Sequence, residues 1–289
     1  MITQTEKLDI QSRLQEYCQQ KGSQNKAANS LNGVSSATIS KLLNSEWDLI
    51  NEVMWRNIAA QIGVKQKTWF IVETRDFKLL NTILSDAQEE SISTAVCGEC
   101  GSGKSLTAHT YSESNKNVFL LSCKEYWNRK LFMQELLRVM GKNSCGDTIG
   151  DMMHSIVSEL KRIEKPLIIM DEADKLSDQV LYFFISLYND LEYHCGMTLM
   201  ATDYLEKRVK RGLRLNKKGY KEINSRVCRK FIPLKGVCVN DITEICIANG
   251  VDNKSVIKDI INDSEYDLRR VKRKVLAYKK SKLTEITEQ

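Results

Sequence analysis

Eight residues, Gly98 to Ser105 (GECGSGKS), place Gly98, Gly103, Lys104 and Ser105 at the spacing G-x-x-x-x-G-K-[ST]. Glycines let successive backbone N–H groups curl around a phosphate, and a helix starting near the lysine adds the partial positive charge of its N-terminus. The chemistry this supports is polyphosphate binding. Lys104 would reach the β- and γ-phosphates, Ser105 would hold Mg²⁺, and Gly98, Gly101, Ser102, Gly103 and Leu106 would complete the cradle. The motif lies between the apolar run STAVC and a helical segment, the context that phosphate binding requires. A second stretch, PLIIMDE (Pro166 to Glu172), reads as a buried strand that delivers Asp171 to the Mg²⁺ shell and Glu172 to the attacking water. A third, GMTLMATD, ends in Thr202 or Asp203, where a polar side chain could touch the water or the γ-phosphate; Thr202 is the better candidate. ATP and Mg²⁺ are the expected cofactors, and ATP hydrolysis is the expected reaction.

Asp171 to Asp174 also spell D-E-A-D. A helicase of that name needs a second RecA-like domain with its own arginine-rich motif, whereas the pattern after Asp174 soon ends in helices. The tetrapeptide is read here as the surroundings of a Walker B strand.

Five apolar runs, STAVCG, NVFLLSC, KPLIIMD, GMTLMAT and KFIPL, alternate with longer helical segments. That alternation predicts an α/β layer, a five-stranded parallel sheet with helices on both faces, over residues 93–236. After Val239 only helical patterns follow (NDITEICIANG, SVIKDIIND, EYDLRRVKRKVLAYKK), giving a small helical lid with a basic tail over 237–289. Residues 64–92 read as a connector ending in an amphipathic helix.

Residues 1–63 carry no strand pattern and read as an all-α helix-turn-helix domain. Leu8, Ile10 and Leu14 share a helical face, and SQNKAANSL and SSATISKLLN form two short helices around NGV. Ala27 and Ala28 permit close packing, Gly33 the turn, Val34 plugs the core and Ser35 caps the second helix. Ile39, Leu42 and Leu43 face inward and Ser36, Thr38, Ser40, Lys41 and Asn44 outward. With six basic and six acidic residues, this segment attracts phosphate only weakly, and a bundle for protein contacts fits it as well.

The 289 residues carry a net charge of +6, unevenly distributed. Glu206 to Lys221 holds eight basic residues against one acid, and Arg269 to Lys282 holds eight against none, so the remainder is acidic. Such clustering suits either a phosphate backbone or a solvated helix face. Of nine cysteines, Cys97 and Cys100 form a single CxxC inside the glycine loop with no second CxxC to pair with it, which speaks for reduced thiols. With no long apolar stretch and no leader pattern, the expected compartment is the cytoplasm, away from any membrane.

Two arginines complete the pattern: Arg226 in INSRVCRKFIPL, just before the fifth apolar run, and Arg269 in YDLRRVKR, at the start of a late helix. This arrangement resembles AAA+ ATPases. The resemblance implies that Arg226 serves as an arginine finger for a neighbouring subunit, with Arg211 and Arg214 as alternatives, and that Arg269 is the lid's sensor 2. The order of helix-turn-helix, connector, compact AAA+ module and short lid is similar to the family of phage Mu transposition protein B and the TnsC-type transposon ATPases. That resemblance implies an ATP-dependent, self-associating filament on double-stranded DNA with little sequence preference. The filament selects the transposition target and presents it to a transposase, and hydrolysis drives its disassembly. The family's DNA contacts, in loops after the second strand, fall here on Lys124, Arg129, Lys130, Lys142, Asn143 and Thr148. A helicase loader or initiator shares every ATP-site residue, and a helix-turn-helix regulator using ATP as a switch is the alternative without turnover.

Overall fold

The computed structural model describes residues 4–62, 69–144, 146–226 and 230–287. Residues 64–68 of the expected connector, Cys145 and Cys228 lie outside the described residues.

The amino-terminal part is all helical: α1 (Gln4–Lys21), α2 (Gln24–Ser30), α3 (Ser36–Leu43) and α4 (Glu52–Gln61). Ser23 and Ser35 cap α2 and α3 by accepting from the backbone N–H of Lys26 and Thr38, which satisfies donors that a helix start leaves unpaired. Ile10, Leu14, Ala27, Ala28, Val34, Ile39, Leu42, Trp55 and Ile58 form its core, and Trp47 meets Trp55 edge-on at 5.7 Å. Leu43 is only half-buried and Leu8 is exposed, so the inward face is narrower than the spacing predicts.

The α/β layer follows: α5 (Arg75–Glu89), β1 (Ser93–Cys97), α6 (Lys104–Ser114), β2 (Val118–Ser122), α7 (Arg129–Val139), α8 (Ile149–Leu160), β3 (Leu167–Asp171), α9 (Asp178–Leu191), β4 (Gly196–Ala201), α10 (Asp203–Arg214), α11 (Tyr220–Arg226) and β5 (Phe231–Pro233). The strands pair in parallel in the order β2-β3-β4-β1-β5. Every residue of β3 and β4 is buried, as continuous apolar runs covered on both faces must be. Pro233, which has no N–H to donate, ends the short edge strand β5. One cluster, including Phe132, Met152, Phe184 and Met197, fills one face of the sheet; another, including Leu80, Leu84, Tyr111 and Ile169, fills the opposite face.

Helix α5 is more than a connector. Its Gln88 side chain donates to the carbonyls of Lys116 and Lys165, ahead of β2 and β3, and accepts from the Tyr111 hydroxyl at 2.8 Å. Its apolar face helps to form the second sheet cluster. Amphipathic spacing identifies such a helix, but which surface it covers is decided by tertiary packing.

The last unit contains α12 (Val239–Ala248), α13 (Lys254–Ser264) and α14 (Leu268–Thr287) around Ile242, Cys246, Val251, Ile260, Val271 and Val275. Asn249 ties the chain before α5 to this lid. Its Oδ1 accepts from the Phe70 N–H at 2.8 Å and its Nδ2 donates to the Phe70 carbonyl at 3.0 Å.

The helix-turn-helix is docked on α7 and α8. Lys21 donates to the carbonyl of Val139, Asn29 to that of Gly141, and Arg138 to that of Ser30. Lys26 and Lys142 both pair with Glu159, at 3.5 and 3.0 Å. Gly141 has φ +72°, and a Cβ there would lie 2.7 Å from the Cβ of Lys26, so the close approach requires glycine. Among the described residues no helix is long and apolar enough to cross a membrane.

Candidate nucleotide site

The carboxyl ends of β1, β3 and β4 open onto a cavity of about 410 Å³, within the size range of a small-ligand site. The strand order puts β1 beside β4 and β4 beside β3, so three sequence-distant polar ends meet in one crevice. Gly101, Ser102, Gly103, Lys104, Ser105 and Leu106 line it from the loop and start of α6; Asp171 and Glu172 from the end of β3; Thr202 from the end of β4; and Arg269 from the lid. Gly98 lies outside this lining: it packs beneath the loop, where an added Cβ would stand 3.1 Å from Leu234.

Lys104 donates from its Nζ to the carbonyls of Gly98 and Glu99 at 2.7 and 2.8 Å, which holds the ammonium across the base of the loop. Burial lowers its pKa, and the nearby Asp171 carboxylate opposes that shift. Gly101, at φ +78°, lies under the lid. Leu268 N–H donates to its carbonyl at 3.0 Å, and a Cβ there would lie 2.3 Å from Asp267 Oδ1. Asp267 also accepts from the Arg269 N–H at 2.7 Å, so one carboxylate both packs against the loop and fixes the start of α14 beside it.

Glu172 adopts the left-handed conformation (φ 56°, ψ 38°), an uncommon state for a residue with a Cβ. Its N–H donates to Asp171 Oδ1 at 2.9 Å and its carboxylate accepts from Lys175 Nζ at 2.6 Å. That hydrogen bond raises the Lys175 pKa. Thr202 donates from its hydroxyl to Asp174 Oδ2 at 3.0 Å, joining the end of β4 to the turn after β3. Spacing alone did not reveal this use of Asp174, or Lys175 as the partner of Glu172; adjacency to the Asp-Glu pair was the one available signal.

A second wall is apolar: Trp69, Ile71, Val72 and Phe77 from the segment clamped by Asn249 and from α5, with Ile245 and Leu268 from the lid. Lys272 sits over the Trp69 ring at 5.2 Å. An aromatic and aliphatic slot beside a phosphate loop suits a flat base, and no sequence motif announced it. Cys97 is buried under the loop with its thiol pushed up to about 11 by burial, while Cys100 is exposed in the loop; both are free thiols.

The remaining expected residues stand elsewhere. Arg226, at the end of α11, does not line the cavity and pairs with Glu222 at 3.0 Å. Arg129 and Lys130 are exposed at the start of α7 and Lys124 is half-buried before it. Lys142 is paired with Glu159, and Thr148 caps α8 in a capping box with Asp151, a structural task that its loop position did not reveal. Asn143 lies in the same loop and has a bonding partner.

The residues fit ATP with Mg²⁺: a positively charged cradle of backbone N–H groups, a carboxylate pair facing it, and a base-sized apolar slot. Fold and site define an α/β P-loop module. A family model described as an AAA domain matches residues 87–209. The chain is similar to the ATP-dependent target DNA activator B of Escherichia phage Mu, 27% identical over 156 residues, which is 52% of this chain and 50% of that protein. Its likeness to the protein of the same name from Escherichia phage D108 has the same identity and extent. The chain spans about half the length of these curated relatives. Residues 87–209, the stretch that the AAA model matches, hold the phosphate loop, Asp171, Glu172 and Thr202.

Proposed function

We propose that this chain is an ATP-dependent, DNA-binding AAA+ ATPase of DNA transposition. It assembles as a filament on double-stranded DNA, selects the target and recruits or activates a transposase. The convergence of the phosphate loop, Asp171, Glu172, Thr202 and Arg269 on one cavity carries this reading. Similarity to target DNA activators supports the transposition role.

When bound, Mg²⁺ would supply charge neutralisation at the transferring phosphoryl group, with Ser105 and Asp171 as its protein ligands. Lys104 and the loop N–H groups orient the phosphates, and Arg269 adds positive charge from the lid. Glu172 accepts the proton of the attacking water once its carboxylate leaves Lys175, and Thr202 holds that water or the γ-phosphate. Arg226 acts on the site of a neighbouring subunit, which makes turnover depend on assembly. Lys124, Arg129 and Lys130 supply DNA phosphate contacts, with Lys142, Asn143 and Thr148 exchanging their present bonds or bordering the path.

The test is binding to random-sequence duplex DNA with ATP or ADP over a salt series. The proposal expects tighter binding with ATP, independent of sequence, with affinity falling as salt rises. Binding confined to one operator sequence would favour the regulator, and binding indifferent to nucleotide would contradict the proposal.

A further inference from the structure

Helix α10 runs beside the turn Ala173–Lys175 and packs on α11, and one of its side chains touches both. The Arg208 side chain is 15% exposed, although it sits on a helix whose Lys207 and Lys210 make ordinary exposed pairs with Asp203 and Glu206. Arg208 Nη1 donates to the Leu176 carbonyl at 2.6 Å and the Asp174 carbonyl at 3.4 Å. Its Nε donates to Asp178 Oδ1 at 3.0 Å and lies 3.2 Å from the Tyr220 hydroxyl; Nη2 also donates to Asp178. Tyr220 in turn donates to Asp178 Oδ1 at 2.8 Å.

One guanidinium therefore joins the turn that carries Glu172 and Asp174 to Tyr220, the first residue of α11, whose last residue is Arg226. The two ends of α11 are six residues, about 9 Å, apart along a single helix. Because Asp178 is half-exposed, its ion pair with Arg208 adds little stability, so a largely buried guanidinium shared by three elements is best explained by the geometry it enforces.

We infer that Arg208, with Tyr220 and Asp178, is a positioning residue that links the hydrolysis turn of one subunit to the arginine that the same subunit offers its neighbour. This rests on the reading of Arg226 as a finger acting between subunits. A shift of the Asp174 turn cannot occur without moving Tyr220 or breaking the fork, so the state of one site is passed to the next through α11.

Mixed assemblies test it. Arg226→Ala subunits keep an intact hydrolysis site and lack the finger; Glu172→Gln subunits keep the finger and lack the carboxylate. Mixed with ATP and duplex DNA, the two should restore turnover at the Arg226→Ala sites. Adding Tyr220→Phe to the Glu172→Gln subunit removes one hydroxyl from the donor alone, and adding Arg208→Lys to it keeps the charge without the fork. Each is expected to lower kcat of the mixture by about tenfold or more, because small misplacements of a catalytic group are costly, while KM for ATP at the acceptor sites stays unchanged. Complementation within twofold of the parent mixture for both donors would overturn the inference. Absence of complementation in the parent mixture would instead overturn the finger reading, and the link with it.

Discussion

At the residue scale, the site depends on a few side chains whose present bonds predict how each variant should behave. Lys104→Ala removes the ammonium that spans the loop, and nucleotide binding should be lost in a fluorescent-nucleotide titration while the thermal unfolding midpoint in the absence of nucleotide changes little. Glu172→Gln keeps the size of a side chain that already accepts from Lys175. It should bind ATP normally and hydrolyse it about 10²-fold or more slowly, the usual loss for a general base; wild-type turnover would remove Glu172 from that role. Gly101→Ala would force a Cβ into the left-handed region, costing about 1–2 kcal/mol, and against Asp267. Nucleotide affinity should fall, and pairing it with Asp267→Gly should recover part of the loss if the clash is the cause. The loop and the Asp-Glu pair were legible because phosphate chemistry fixes residue type and spacing together. Lys175, Asp174 and Trp69 were not, because an ion pair, a hydroxyl bond and an aromatic wall depend on where the chain folds.

At the element scale, alternating apolar runs announced all five strands, and Pro233 and the buried runs of β3 and β4 agree with their edge and central positions. Helices were harder to place. Helix α5 has an apolar face that any covering surface would satisfy, and only Gln88 and its partners show that the surface is the sheet. The docking of α1 and α2 on α7 and α8 left no sequence trace because it joins residues far apart in the chain, three of its bonds ending on backbone carbonyls and one on Glu159. Burial and the charge of Arg138 lower the Lys21 pKa to about 8 in the folded chain. Below about pH 8 the ammonium is charged in both folded and unfolded chains. Between about pH 8 and the ordinary lysine value the unfolded chain holds more protons, so this group's contribution to stability rises with pH and is lost as pH falls through about 8. Lys21→Met should flatten that rise in denaturant midpoints measured from pH 7.5 to 10; an unchanged slope would show that Lys21 titrates normally. Gly141→Ala should loosen the docking, read as faster proteolysis between α4 and α5 with the sheet still protected.

At the scale of the whole molecule, the lid is bonded to the phosphate loop through Gly101 and to the apolar wall through Asn249, while Glu159 ties the helix-turn-helix to α8 through Lys26. ATP is proposed to drive assembly on DNA of any sequence. Electron microscopy of the full chain with random-sequence duplex DNA, with ATP, a slowly hydrolysed analogue, ADP or no nucleotide, tests it most directly. Filaments are expected on DNA with ATP or the analogue, stabilised by Glu172→Gln and absent for Lys104→Ala. Discrete particles at fixed sites, or the same appearance with and without nucleotide, would contradict it.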